Sequence, residues 1–325
     1  MNDYAGWMPV RVNWTPSGLR LKWQYFGDVR FTDPFFEQTV GRCVGLPNQP
    51  AGQRETPIET LAELADRSPG LAPTGFIFHM SRCGSTLISQ ILAAQPENVV
   101  ISEADPIDGV LRVHLRDPKI TMEQQVMWLR LLLQAFGQRR FAGETHLFVK
   151  FDCWHTLCLP LIQRAFPGVP WIFIYREPVE VLASHRRQIG GQMVPGKLEP
   201  AFFDWDSQTV SRMSLSEYGG RVLGKICGAA LAQARAGRGK LVHYRQLPAV
   251  VWCDLLKYWG VHGTPDAVEA MTRVARFNAK TPALPFEDDR RIKNREVTED
   301  IRQIARQWLD GTYRQLEACR MRQAL

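Results

Sequence analysis

The sequence predicts an α/β protein: a parallel sheet covered by helices on both faces, preceded by a small aromatic-rich β extension. Three observations carry this. Short apolar runs bounded by turn residues have the length and the lack of alternation of strands buried on both faces: Phe76-Ile-Phe78, Asn98-Val-Val-Ile-Ser102, His146-Leu-Phe-Val-Lys-Phe151, Pro170-Trp-Ile-Phe-Ile-Tyr175 and Lys240-Leu-Val-His-Tyr244. Between them lie longer stretches with helical spacing, as the crossovers of a parallel sheet require. Ahead of them, Val10-Arg-Val-Asn-Trp14 and Leu19-Arg-Leu-Lys-Trp-Gln-Tyr25 alternate at period two about the turn Thr15-Pro-Ser-Gly18, which is a hairpin pattern.

In chain order, residues 1–70 form the extension and its linker, and residues 71–325 the α/β domain. After the hairpin, Phe31 to Val40 reads as a short helix begun by Thr32-Asp-Pro. Trp7, Trp14, Trp23, Tyr25, Phe35 and Phe36 suit packing of the extension on the main domain; the same rings could line an acceptor pocket. Residues 46–74 are proline-punctuated around a brief helical pattern, Ile58 to Ala65, and read as a connection into the first domain strand. Helical spacing then recurs over Leu87–Leu92, Pro106–Arg116, Met122–Phe136, Trp154–Ala165, Glu177–Ile189, Leu215–Ala234 and Leu247–Tyr258. Gly190 to Ser207 is polar, Gly/Pro-punctuated and long, the signature of a mobile loop over a site. From Thr264 the chain is helical except for Phe277 to Asn294, a loop whose Lys280, Arg290, Arg291 and Lys293 are available to an anion.

Composition narrows the function classes. A chain of 325 residues with 45% hydrophobic content buries a sizeable core. No stretch has the roughly 18 apolar residues of a membrane span, and the N-terminus lacks basic and apolar signal regions, which points to the cytoplasm. Seven cysteines stand singly at 43, 83, 153, 158, 227, 253 and 319, with neither C-x-x-C nor an even count to suggest a disulfide framework. The net charge of +7 suits an anionic ligand, but aromatics do not interleave with basic runs, so nucleic acid is not expected. The seven histidines show no metal-ligand spacing, and no metal is expected.

The chemistry centres on Gly75-Phe-Ile-Phe-His-Met-Ser-Arg-Cys-Gly-Ser-Thr-Leu-Ile-Ser-Gln-Ile-Leu92, which reads as strand, loop and helix. Small residues in Ser81-Arg82-Cys83-Gly84-Ser85-Thr86 let backbone N–H groups at a helix N-terminus converge on an anion, with Arg82, Ser85 and Thr86 adding side-chain donors. The pattern departs from G-x-x-x-x-G-K-[ST]: there is one glycine, and the basic residue precedes it. A second stretch, Ile172-Phe-Ile-Tyr-Arg-Glu-Pro-Val-Glu-Val-Leu-Ala-Ser184, puts Arg176 at a strand's C-terminal end and Ser184 about two turns into the next helix, where both can face one phosphate.

Together these stretches resemble the sulfotransferase family. The first is similar to its 5′-phosphosulfate loop, roughly P-[KR]-[ST]-G-[ST]-T, with Ser81 in place of the proline and Cys83 in place of a hydroxyl residue. The second is similar to its 3′-phosphate motif, an arginine followed by x-P and a serine eight residues on. The resemblance covers about residues 74–320. It implies transfer of a sulfuryl group from 3′-phosphoadenosine 5′-phosphosulfate, the co-substrate, to a hydroxyl or amine of a small-molecule or carbohydrate acceptor. It implies that residues 81–86 with Arg176 and Ser184 bind the donor. Glu103, just past the second strand, is then the base candidate, with Asp105 and Asp108 as competitors. Lys150, a lysine inside an apolar strand, would reach the sulfuryl group, and Arg82 would help neutralise the departing oxygen. Lys240-Leu-Val-His-Tyr-Arg-Gln-Leu247 resembles a later strand and turn of the family and is assigned to the fold alone. The rival readings are a P-loop phosphotransferase using ATP and magnesium, which needs a Walker lysine and an acidic metal ligand, and a non-catalytic nucleotide-binding protein.

Overall fold

The computed structural model describes residues 4–44, 54–286 and 296–323. The N-terminal segment is a three-stranded antiparallel sheet in the order β1 (Trp7–Thr15), β2 (Gly18–Tyr25), β3 (Arg54–Pro57). Its hairpin closes with Thr15 opposite Gly18, as the alternation predicts. The third strand lies in what reads from sequence as a plain connection. Its Arg-Glu-Thr-Pro sequence carries no apolar signal, and β2 supplies the pairing instead, from Arg20 opposite Pro57 to Trp23 opposite Arg54. Between β2 and β3, α1 runs Phe36–Val44, later than the Thr32-Asp-Pro signal suggests, and α2 (Thr60–Arg67) leads into the main sheet.

That sheet has five parallel strands: β4 (Pro73–His79), β5 (Asn98–Ser102), β6 (His146–Lys150), β7 (Trp171–Tyr175) and β8 (Lys240–His243), in the spatial order β5-β6-β4-β7-β8. It is flanked by helices, as the α/β reading expects: α3 (Ser85–Ala93), α4 (Asp105–Arg112), α5 (Met122–Phe136), α6 (Leu159–Ala165), α7 (Pro178–Arg187), α8 (Ser207–Ser211) and α9 (Leu215–Arg235). A π turn, Val251–Leu255, then runs into α10 (Leu256–Tyr258), followed by α11 (Pro265–Val274), α12 (Glu299–Trp308) and α13 (Asp310–Gln323). Local chemistry sets several helix starts. Thr121 and Gln124 form a reciprocal capping box at α5, and the Ser214 hydroxyl accepts the Glu217 N–H at α9.

Every residue of β5 and β7 is buried, which is why those runs show no alternation. The core is held by aromatic layers, with Phe78 of β4 and Phe151 just past β6 stacked at 4.7 Å. It continues into the extension, where Phe36 meets Phe136 of α5 edge-on at 5.5 Å. The strand order fixes the site. From β4 the chain passes beyond β6 to reach β5, while from β7 it leads away to β8, so the crevice at the C-terminal ends of β4 and β7 is the switch point where ligands bind in open parallel sheets.

Two segments differ from expectation. Gly190 to Ser207 is not an open loop but a series of short turns whose Gln192, Met193, Leu198 and Phe203 are buried. Phe277 onward forms a small hairpin, β9 (Phe277–Asn278) with β10 (Thr281–Pro285); Arg290, Arg291 and Lys293 lie outside the described residues.

Candidate active site

Strand register builds the site. Lys150 ends β6 opposite Ile77 of β4 and Ser102 of β5, so the residues just past those partners converge along one edge. These are His79 on β4, Glu103 after β5, and Phe151 and Asp152 after β6. Beyond them lies a cavity of about 370 Å³ walled by the 81–86 loop, the start of α3, Glu103, Asp152, Trp154, Arg176, Ser184, Tyr244, Lys280 and Phe35. The sequence-predicted residues Ser81, Arg82, Cys83, Gly84, Ser85, Thr86, Glu103, Arg176 and Ser184 are thus brought to one cavity, with Lys150 immediately behind its wall.

The loop is bent through the left-handed region at Ser81, Arg82 and Gly84 (φ 81°, 50° and 91°). Only the last is free of a side-chain penalty, so two strained residues are held by their surroundings. The holding contacts come from the last turn of α7 and the segment after it. The Ser81 hydroxyl accepts from His185 Nε2 and from Gln192 Nε2, each at 3.1 Å, while Arg82 donates to the Gln188 carbonyl at 2.6 Å and to its Oε1 at 3.1 Å. His185 is therefore a brace for the loop. Burial and the nearby positive Arg82 and Lys280 push its pKa down to about 3, which keeps it neutral. No side chain caps α3 at Gly84, and its first turn, Ser85 to Leu87, forms part of the cavity wall, an arrangement suited to an anion. The Cys83 thiol takes no part: it is buried, donates to the Ile174 carbonyl at 3.1 Å, and has its pKa pushed up to about 12 by burial.

Lys150 has no solvent exposure. Its ammonium is ion-paired with Glu103, reaches Thr86 Oγ1 at 3.4 Å, and lies 5.0 Å from the centroid of the Phe35 ring. Glu103 is itself in left-handed backbone (φ 55°), pinned by its N–H donating to the Lys150 carbonyl at 2.8 Å. Its side chain keeps 20% exposure, toward the cavity. Burial alone would raise its pKa, but the Lys150 charge and the hydrogen bonds from His79 and Lys150 outweigh burial and hold it well below the usual carboxylate range. His79 accepts the Ser81 N–H at Nδ1, which puts its proton on Nε2, facing the Phe151 carbonyl (3.1 Å) and Glu103 Oε1 (3.2 Å). The two competing acids sit elsewhere. Asp105 pairs with Arg11 at 3.5 Å against the hairpin, and Asp108 is taken up by Arg112, Trp154 Nε1 (2.8 Å) and His155 Nε2 (2.9 Å).

On the β7 side, Arg176 is 2% exposed. Its Nε is bonded to Glu180, its guanidinium lies 3.9 Å from the Tyr244 ring centroid, and its Nη2 is buried with no hydrogen-bond partner among the described residues. A buried donor left unmatched beside a cavity is expensive unless an acceptor enters. Ser184 lies on the same wall. Lys280, from the β9–β10 hairpin, closes the cavity from above. Burial, together with Arg82 and Lys150, pushes its pKa down to about 8.

Several wall residues are not indicated by the sequence, namely Asp152, Tyr244 and Gln192, while Phe35 is one of the aromatic rings read there as able to line a pocket. His79 did carry a signal, as a polar residue ending an apolar strand just before the loop. Among the described residues no group of three or more His, Cys, Asp or Glu side chains is placed to hold a metal, and no helix is long and apolar enough to cross a membrane.

No family model and no curated protein matches the sequence. Solved structures do. The chain is similar to a sulfotransferase from Alicyclobacillus acidocaldarius, at 15% identity and a TM-score of 0.46 over 77% of this chain and 96% of that one. It is similar to the sulfotransferase domain of the Synechococcus PCC 7002 olefin synthase, at 15% and 0.41 over 74% and 95%. It is also similar to sulfotransferase STF9 from Mycobacterium avium, at 14% and 0.43 over 78% and 80%.

Proposed function

We propose that this chain is a sulfotransferase, moving a sulfuryl group from 3′-phosphoadenosine 5′-phosphosulfate to a hydroxyl or amine of a small-molecule or carbohydrate acceptor. The observation that carries the reading is Arg176, a buried guanidinium with one nitrogen unmatched, lining the same cavity as the anion-suited start of α3. One cavity thus offers two separate places for anionic groups, as a nucleotide with phosphates at both its 3′ and 5′ positions requires. Arg176 and Ser184 would hold the 3′-phosphate; residues 81–86 would hold the 5′ end.

The donor supplies an activated sulfur. The chain's own residues position it and absorb charge. Arg82 and the N–H groups at the start of α3 would face the oxygen that takes up negative charge as the sulfuryl group departs, with the positive charge of Lys150 behind the cavity wall. Glu103 is the counter-ion of the Lys150 ammonium where water does not reach it. A base must take the acceptor's proton, and among the described residues two carboxylates line this cavity: Glu103, to which the sequence points, and Asp152.

Calorimetric titration tests the reading. Adenosine 3′,5′-bisphosphate is expected to bind without magnesium and more tightly than adenosine 5′-monophosphate. Binding of ATP that requires magnesium, with no binding of the bisphosphate, would overturn it in favour of a phosphotransferase.

A further inference from the structure

Sulfuryl transfer to a hydroxyl or amine, the reaction proposed above and the premise here, needs a base for the acceptor's proton. Glu103 and Asp152 are not equivalent candidates. Glu103 is the counter-ion of a lysine with no exposure, so a proton on Glu103 would leave that ammonium buried against a neutral acid. The His79 N–H, 3.2 Å from the same oxygen, ties it further.

Among the described residues no lysine or arginine pairs with Asp152, which caps the turn Cys153–Cys158. The nearest ring nitrogen, His155 Nδ1, lies 3.8 Å from its Oδ2 and is already an acceptor, since the Asp152 amide N–H donates to it at 3.2 Å. The other His155 nitrogen donates to Asp108 at 2.9 Å. The groups that face Asp152 are Glu103 from the end of β5, Asp105 and Asp108 from α4, Lys150 from β6 and His155 from the turn that follows. Burial, then the charges of Glu103 and Asp108, raise its affinity for a proton, while Lys150 is already claimed by Glu103. Where two neighbouring acids are pushed apart in this way, the one with the greater proton affinity is the stronger base.

We propose that Asp152 is the general base. As the acceptor's oxygen or nitrogen bonds to sulfur, its O–H or N–H bond breaks and the proton moves to an Asp152 carboxylate oxygen. The bond from sulfur to the 5′-phosphate oxygen opens, and its electron pair stays on that oxygen beside Arg82 and Lys150. Glu103 remains ionised throughout.

The test uses the full chain in complex with adenosine 3′,5′-bisphosphate, following side-chain carboxyl groups by carbon-13 NMR, with Asp152→Asn and Glu103→Gln as assignment variants. The resonance lost in Asp152→Asn is expected to titrate at higher pH than the one lost in Glu103→Gln; the opposite order overturns the proposal. Turnover of 3′-phosphoadenosine 5′-phosphosulfate, with water and ethanol as probe acceptors, gives the second readout. Asp152→Asn should lower it by about 10²- to 10⁴-fold and abolish the acidic limb of its pH profile, while Glu103→Gln keeps that limb. An acidic limb that persists in Asp152→Asn and vanishes in Glu103→Gln returns the base to Glu103. Both variants should bind the bisphosphate within a few-fold of the native chain. Absence of bisphosphate binding by the native chain is a different failure, overturning sulfuryl transfer itself.

Discussion

The guanidinium of Arg176 lies over the Tyr244 ring, 3.9 Å from its centroid, with Nε tied to Glu180 and Nη2 unmatched among the described residues. The ring contact and the Nε hydrogen bond hold the group beside the cavity. Arg176→Ala is expected to weaken binding of adenosine 3′,5′-bisphosphate by roughly 1.5 to 3 kcal/mol, the worth of a hydrogen bond to a charged group, with little change for the 5′-monophosphate. Arg176→Lys should recover little, because an ammonium neither stacks in this way nor reproduces the fork. Equal losses for both nucleotides in calorimetry would remove Arg176 from the 3′ site.

Lys150 and Glu103 make the second prediction. Removing one member of a buried pair costs about 3 to 5 kcal/mol, and the lower end applies because Glu103 keeps 20% exposure. Lys150→Met should therefore lower the urea midpoint, and adding Glu103→Gln should restore most of it. Transfer activity should not return in the double variant, because the charge facing the leaving oxygen is still missing. A double variant as unstable as the single one would show that the pair is not what holds Lys150 in place.

Gly84 carries the third. At φ 91°, an added Cβ would lie 2.6 Å from Leu247 Cδ1 and 3.0 Å from Tyr244 Cδ2. Gly84→Ala should thus strain the backbone at about 1 to 3 kcal/mol and push Tyr244 off Arg176. Bisphosphate affinity should fall alongside thermal stability, whereas Gly228→Ala, in α9 with open space around the glycine, should leave affinity unchanged and raise stability slightly.

Lys280 gives a pH dependence. Its pKa is depressed from 10.5 to about 8, so the folded, ligand-free protein sheds this proton before the unfolded chain does. Between those values the unfolded state holds more protons, and this residue's contribution to stability rises with pH. Anion binding has the opposite sign. It favours the charged form, so bisphosphate affinity should fall by a few-fold as pH rises through about 8, with proton uptake on binding near that pH. Lys280→Met should flatten the profile; an unchanged slope would remove Lys280 from the ligand's surroundings.

Much of this was readable in the residues. The strands β4 to β8 announce themselves because a strand buried on both faces must be apolar throughout, and the 81–86 loop, Arg176, Glu103 and Lys150 sit within a few residues of those strands' ends, where local reading is strongest. Strand β3 was invisible because Arg54–Pro57 is recruited by β2's open hydrogen-bonding edge rather than by side-chain burial. Phe35, Asp152, Tyr244 and Lys280 reach the cavity from separate stretches of chain. Only packing brings them together, and no local period or spacing encodes that. Gly190 to Ser207 misleads for a related reason: its polar, Gly-rich composition looks like a lid, yet Gln192 is spent on bracing Ser81.

Phe35 has a practical consequence. It belongs to the N-terminal segment, yet its ring stands 5.0 Å from the Lys150 ammonium and walls the cavity of the α/β portion. A fragment cut at residue 71 would keep every strand of the main sheet but would open one side of the cavity to water. Conversely, exchanging the first seventy residues would replace the wall that Phe35 forms while leaving the loop after β4 and Arg176 untouched.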